Sequence, residues 1–287
     1  MDIRRKIPWW MKIIIKLIIS RFGINYSFWQ KIKLFRHGKM DESDYARSVF
    51  DAHITRAGIT ANDLRDKTIL ELGPGDSIAT AFLASSYGAR TILLDTDFAA
   101  IRDIRIYQRL ANDLNNKGII VPDISTAKSL TEILNILNAK YLTEGLSSFS
   151  EIPADSVDLI FSQAVLEHIK KNEFLETICE TYRILRPNGI ASHVIDLKDH
   201  LGYALNNLRF QENIWDSDFM TRSGFYTNRI RYTEMIKLFK QAAFKVNITE
   251  VQKWDELPTP RYKMAKPFQS LSLEELLISE FHVVLRL

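Results

Sequence analysis

The chain has 287 residues, 46% of them hydrophobic and 25% charged, with a formal net charge of +3. That length is ample for one large domain with its own hydrophobic core. The composition excludes a disordered chain, collagen and an extended coiled coil, and so small a net charge gives no ground for a nucleic-acid partner.

The charge is unevenly placed. Among residues 1–40, ten basic side chains stand against Asp2 alone, so this stretch is nine positive and the remainder of the chain six negative. We read residues 1–40 as a basic, amphipathic helical arm and residues 41–287 as the main domain. Residues 8–20 read Pro-Trp-Trp-Met-Lys-Ile-Ile-Ile-Lys-Leu-Ile-Ile-Ser. Pro8 suits a first helical turn, and the run is shorter than the roughly 20 apolar residues that cross a bilayer. Lys12 and Lys16 share a helix face with Arg5, and the rest is Trp and Ile. Two readings stay open. Residues 1–21 lie on an anionic membrane surface, or they pack on the body or a second subunit. A signal peptide fits less well, because Arg21-Phe-Gly-Ile-Asn25 lacks a small-residue cleavage site. The setting expected is cytoplasmic, with contact to the inner face of the membrane open.

From about residue 40 the pattern alternates β and α, which implies a parallel sheet with right-handed crossovers. Lys67–Leu72 is a short apolar run, Ile78–Tyr87 reads as a helix, and Arg90–Leu94 reads as a buried strand ending at Asp95. Between the first strand and the helix lies Glu71-Leu-Gly-Pro-Gly-Asp-Ser77. Glycines let a ligand approach the backbone there, and helix-start amides face it. Asp95 follows Gly75 at the spacing from which a carboxylate reaches ribose hydroxyls. The sixth position of the dinucleotide fingerprint is Ile78 rather than Gly. Glu71 would repel a pyrophosphate but accept hydrogen bonds from an ammonium group. The ligand expected is therefore a nucleoside carrying an amino acid, as S-adenosylmethionine does.

Four further segments, in order, strengthen this. They are Asp95, Ile152–Ser162, Val165-Leu-Glu-His-Ile169 and Arg183-Ile-Leu-Arg-Pro-Asn-Gly189. With Glu71–Asp76 they resemble the motifs of class I S-adenosylmethionine-dependent methyltransferases, over roughly residues 65–197. The resemblance implies a doubly wound α/β fold with a seven-stranded, mostly parallel sheet whose last strand is antiparallel. It implies that Glu71 and the Gly73–Gly75 turn hold the methionine end and Asp95 the ribose. Asp76, Ser77, Ser162 and Gln163 complete the expected cofactor set. Tyr141–Gly145 reads as strand three, followed by Leu146-Ser147 where the family has an acidic residue. Residues 99–138 form a long, mostly helical insertion.

Cys179 is the single cysteine and excludes an intrachain disulfide; its helical run (Phe174, Leu175, Ile178, Tyr182) suggests a buried structural thiol. After a fifth strand at Ala191–Leu197, residues 198–232 interleave seven aromatics with Arg209, Arg222, Arg229 and Arg231. That pattern suits a cap over a polar or anionic acceptor, a glycan or small molecule, or simply a packed cap. Thr233–Ala243 reads as a helix, and Phe244–Val251 and Phe281–Leu287 read as the last two strands.

Methyl transfer to oxygen needs an aligned acceptor and removal of a proton. His168, after strand four, and His200, after strand five with Asp196 or Asp199 to orient it, are the candidate bases. An enzyme without a side-chain base is equally open, and Glu167-His168 could be a packing element. His193, inside a strand, reads as structural. No metal-ligand spacing is present along the chain, so no metal is expected.

Overall fold

The computed structural model describes residues 8–21 and 40–287, together with most of their side chains. Arg5 and the rest of residues 1–7 and 22–39 lie outside the described residues, as does the side chain of Lys16, so the expected lysine stripe is seen only at Lys12.

The helices are α1 (Trp9–Arg21), α2 (Ser43–Ala57), α3 (Ala79–Ser86), α4 (Ile104–Asn116), α5 (Leu130–Ile136), α6 (Lys171–Ile184) and α7 (Tyr232–Gln241), beside several single turns. The strands are β1 (Thr68–Leu72), β2 (Arg90–Leu94), β3 (Ala139–Leu142), β4 (Val157–Gln163), β5 (Leu185–Asp196), β6 (Lys245–Lys253) and β7 (Ile278–Arg286). They form one sheet in the order β3-β2-β1-β4-β5-β7-β6. Strands β1 to β5 run parallel, and β7 pairs antiparallel with both β5 and β6. This is the doubly wound, seven-stranded, mostly parallel sheet with an antiparallel last strand that the sequence leads one to expect.

The sheet forms where strands are apolar on both faces. Thr68-Ile-Leu-Glu-Leu72 has four of its five residues buried, as expected for a strand covered by helices on each side. Ile69 faces a core built with Phe50, Phe82, Tyr107, Leu110 and Phe161 from β4, under α2 to α5. Leu70 and Leu72 face a second core with Phe174, Ile178, Met235, Phe239 and Phe281, under α6 and α7. Each such side chain contributes about 1.5–3 kcal/mol on burial. Helix starts are specified locally. The Asp103 carboxylate accepts from the Arg105 amide at α4, and the Ser129 hydroxyl from the Glu132 amide at α5, so each cap satisfies an amide that the first helical turn leaves without a partner.

Cys179 departs from the sequence reading, since it is exposed. The buried positions of α6 are Phe174, Thr177, Ile178, Thr181 and Ile184. Cys179 sits one residue, about 100° of helix, beyond that stripe and faces solvent.

Residues 198–231 form the cap. It is held by side chains more than by regular structure. Trp215 is fully buried and donates from Nε1 to the Thr227 carbonyl at 2.7 Å. Arg229 pairs with Asp216 at 2.8 Å and donates to the Phe210 carbonyl at 2.7 Å. Arg231, 4% exposed, donates to the carbonyls of Leu197 at 3.1 Å, Glu275 at 3.1 Å and Ile278 at 2.6 Å. Against this cap lies one edge of α1. Ile13 is buried, with Trp9 and Leu17 partly so, among Leu201, Phe210, Trp215, Met220, Phe225 and Tyr226. Trp10, Met11, Ile14 and Ile15 stay on the outer side, between 37% and 49% exposed.

Candidate active site

The carboxyl ends of β1, β2 and β4 point to one end of the sheet. Between β1 and β4 the winding reverses, which is where ligands bind in such sheets. A cavity of about 600 Å³ opens there, bounded by the β1 turn, residues 95–99 after β2, Gln163 at the end of β4 with Ala164, Val165 and His168 beyond it, His200, and Thr221, Ser223, Gly224 and Tyr226 of the cap. A larger hollow of about 940 Å³, lined by Lys171, Arg209, Lys237 and Phe268 among others, shares no residue with it.

The turn after β1 needs its glycines. Gly73 has φ +67° and Gly75 φ +62°, a region that costs a side chain roughly 1–2 kcal/mol. A Cβ on Gly73 would stand 2.6 Å from Cγ2 of Val165, so the turn also packs against the segment after β4. There Ala164 itself has φ +54°, strain of the kind that gathers at functional sites.

Glu71, one residue before the end of β1, is 3% exposed, and its Oε2 is buried without a hydrogen-bond partner. Burial pushes its carboxyl up to about 8. The Thr80 hydroxyl, near but not in hydrogen-bonding geometry, opposes this, and the Asp95 charge adds to it. Asp95 is half-buried and accepts from the amides of Thr96 at 2.7 Å and Gly75 at 3.4 Å. These residues fit S-adenosylmethionine. An orphaned, buried carboxylate oxygen is what a cationic amino group satisfies. The glycine turn allows backbone approach, and Asp95 lines the cavity at its far side.

Of the expected cofactor residues, Glu71, Gly73, Gly75, Asp95 and Gln163 line the cavity. Asp76, Ser77 and Ser162 do not. Asp76 and Ser77 are buried beneath the turn, the Ser77 hydroxyl donating to the Met40 carbonyl at 3.1 Å. Ser162 is fully buried and bonds Nδ1 of His193 at 2.8 Å, so alternation along β4 turns it away from the cavity and Gln163 toward it. His193 is structural, as its place within a strand suggested; burial lowers its pKa to about 3.

On the acceptor side, His168 and His200 line the cavity with ring centroids 4.7 Å apart and planes at 82°. His168 Nδ1 lies 2.7 Å from the Tyr226 carbonyl. A carbonyl only accepts, so Nδ1 carries the proton and Nε2 the lone pair. Asp199 has a different role from the expected one. Its carboxylate accepts from the amides of Leu201 at 2.9 Å, Gly202 at 2.5 Å and Asn206 at 2.6 Å, and from the Asn206 side chain at 3.0 Å. It ties the loop that carries His200. Asp196 pairs with Lys198 at 3.1 Å. Glu167, His168 and His200 also form a cluster whose chemistry could hold a metal.

Other residues at the site were not singled out. His53, from α2, lies 3.2 Å from Oε1 of Gln163 and 2.9 Å from the Ser192 hydroxyl. With that carbonyl oxygen accepting, Nε2–H donates to Gln163 and the Ser192 hydroxyl donates to Nδ1. Burial first, then the Arg56 charge, lowers its pKa to about 3, so it stays neutral and holds Gln163 in place. Val165, Phe98, Thr221 and Ser223 also line the cavity. Val165 stands in the motif segment after strand four and Tyr226 is one of the cap aromatics, so both carried a sequence signal.

Residues 70–192 match a family described as a methyltransferase domain. No curated protein matches the chain. Among solved structures, an arsenic (III) S-adenosylmethionine methyltransferase from Chlamydomonas reinhardtii is 14% identical, with 80% of this chain and 65% of that one covered and a TM-score of 0.45. Phosphoethanolamine N-methyltransferase 2 of Haemonchus contortus, in complex with S-adenosylmethionine, is 14% identical over 82% of this chain and 51% of that one, at a TM-score of 0.45. An S-adenosylmethionine-dependent methyltransferase from Mesorhizobium loti is 16% identical over 81% and 95%, at 0.44. The chain thus spans about two thirds of the first of these and half of the second.

Proposed function

We propose that the protein is an S-adenosylmethionine-dependent methyltransferase that methylates a hydroxyl of a glycan or lipid-linked acceptor seated beneath the cap, a reading that the methyltransferase-domain match over residues 70–192 supports. Glu71, Gly73, Gly75 and Asp95 would hold S-adenosylmethionine, which supplies an activated methyl group on sulfur. The observation that carries the reading is the pair of imidazoles, His168 and His200, in the same cavity as the glycine turn. A hydroxyl must give up its proton as it attacks, and a neutral imidazole is suited to take it. His168 offers Nε2 for this, because the Tyr226 carbonyl fixes the proton on Nδ1. Asp199 holds the loop that brings His200 opposite. A second reading, O- or N-methylation of a soluble small molecule, is favoured by the cavity's volume of about 600 Å³, within the usual range for small ligands.

The arm supports the lipid-linked version. The outer side of α1 presents Trp10, Met11, Ile14 and Ile15 beside a local excess of basic residues. Among the described residues no helix is long and apolar enough to cross a membrane. Attachment along the cytoplasmic surface needs only that outer side and about 1 kcal/mol from each basic residue near anionic lipid.

Donor labelled in its methyl group, incubated with the protein and with lipid-linked and soluble glycan fractions, tests the acceptor by mass spectrometry. Label on an oxygen of a glycan or lipid-linked product is expected. Label confined to nitrogen of small soluble products overturns the reading. Flotation with anionic liposomes tests the arm: the full chain should float, and a chain beginning at Gly23 should not.

A further inference from the structure

We propose that Glu167, His168 and His200 form a binding site for a divalent transition-metal ion on the acceptor side of the cavity. The inference rests on the proposed function for the identity of that cavity, and it adds a ligand that the chain's linear spacing does not suggest. Each of the three residues offers one ligand atom, and these atoms all lie within 4.8 Å of one another. Glu167 and His168 come from the single turn that follows β4, and His200 from the loop that follows β5. No short motif could show the cluster, because the sheet brings its halves together.

Three observations converge on an ion. First, Glu167 is 2% exposed and its carboxyl group has no side-chain hydrogen-bond partner, only the nearby backbone amides of Glu167 itself and Asp196. A buried carboxyl group in that state demands an explanation, and a bound ion is one of few. Second, His168 is already arranged as metal-bound histidines are. Its Nδ1–H donates to a backbone carbonyl, which fixes the ring and leaves Nε2 as the ligand atom. Third, both imidazoles line the cavity, so an ion between them would face the space meant for the acceptor.

The donor set selects the class of ion. Two imidazoles with one carboxylate suit zinc, iron(II), cobalt or manganese, whereas magnesium and calcium prefer all-oxygen sites. With bonds of about 2.1 Å, tetrahedral ligand atoms stand roughly 3.4 Å apart, so the group needs to close by at most about 1.4 Å from its present spread of up to 4.8 Å. Three protein ligands leave a position open, the pattern of catalytic rather than structural sites. With an ion bound, Nε2 of His168 is a ligand and no longer the base, so an acceptor hydroxyl in the open position, made more acidic by the ion, would give its proton to solvent water. The oxygen keeps the electron pair, and no oxidation or reduction is involved.

Direct binding tests this. Untagged full-length protein is stripped with a chelator and titrated with zinc by calorimetry and with cobalt by visible absorption. One equivalent per chain is expected, with a cobalt ligand-field band. His200→Ala and Glu167→Gln should each weaken binding by roughly tenfold or more, and His200→Ala should abolish the band. Adenosylhomocysteine binding by the same variants reports that they are folded; His200→Asn and His168→Ala replace any variant that is not. Less than one equivalent bound to the wild type, or equal zinc affinity in wild type and folded His200 variants, overturns the proposal. Histidine-dependent zinc binding in a protein that ignores adenosylhomocysteine leaves the site standing and sinks the functional reading instead.

Discussion

The two sides of the cavity are built in different ways. The donor side is made by backbone. Two glycines with positive φ, a strand end and the residue after the next strand set its shape, and all lie within about one βαβ unit. The acceptor side is made by side chains that reach over long stretches of chain. Arg231 bonds carbonyls more than 40 residues away, Trp215 is pinned to the Thr227 carbonyl, and His168 leans on Tyr226. The first kind of construction constrains residue type at fixed spacing. The second constrains only the assembled fold.

Substitutions can break or sharpen that contrast. The largest effect should come from the cap. Arg231→Ala removes a buried guanidinium and strands three or more carbonyls, and should cost about 3–5 kcal/mol of stability, read from the urea midpoint. A wild-type midpoint would mean the cap is not side-chain built. Next comes the turn. Gly73→Ala sets a Cβ against Val165 in a left-handed conformation, at about 2–4 kcal/mol. Adenosylhomocysteine affinity should fall far more than for any single cap substitution; retention of affinity would show that the turn yields.

The third effect depends on pH. Glu71 has its folded-state carboxyl raised to about 8 by burial, against an unfolded value near 4.5. It is neutral in both states below the unfolded value. As pH rises from there toward 8 the unfolded chain ionises first, so the ligand-free protein loses stability across that window. A ligand ammonium favours the ionised form. Adenosylhomocysteine should therefore bind more tightly as pH climbs from 6 to 8, by up to about tenfold per unit, and Glu71→Gln should flatten the profile. A flat wild-type profile would place the ammonium elsewhere. The smallest effect is at the ribose. Asp95→Ala removes charge-assisted hydrogen bonds worth roughly 1.5–3 kcal/mol each. It should weaken adenosylhomocysteine binding by about tenfold or somewhat more while leaving the midpoint unchanged; an unaltered affinity would pass the role to Asp97.

The same contrast explains what could be read from the amino-acid order. β2 was expected at Arg90–Leu94 and lies there, because an apolar run between a glycine and an aspartate admits few other readings. The Glu71 turn and Asp95 were visible for the same local reason. Ser162 was expected at the cofactor together with Gln163, and strand alternation turns it away from the cavity; Cys179 was expected to be buried and lies one step around the helix from the buried stripe. Asp199 looked like a partner for His200 because it is adjacent, but a carboxylate just past a strand end is also where loose amides collect, and three of them claim it. His53 gave no signal, since its partners lie 110 and 139 residues away.

The place of β7 in the sheet has a consequence for how the protein is made. β7 lies between β5 and β6, and β6 has β7 as its sole neighbour in the sheet. During synthesis β6 leaves the ribosome first and waits with both edges unpaired, while the parallel half behind it can already close. At the usual 5–20 residues per second that delay is of the order of seconds. The polar, exposed face of β6, with Lys245, Asn247, Thr249, Glu250 and Gln252, suits a strand that spends that interval bare, because charged and polar edges resist pairing with another chain.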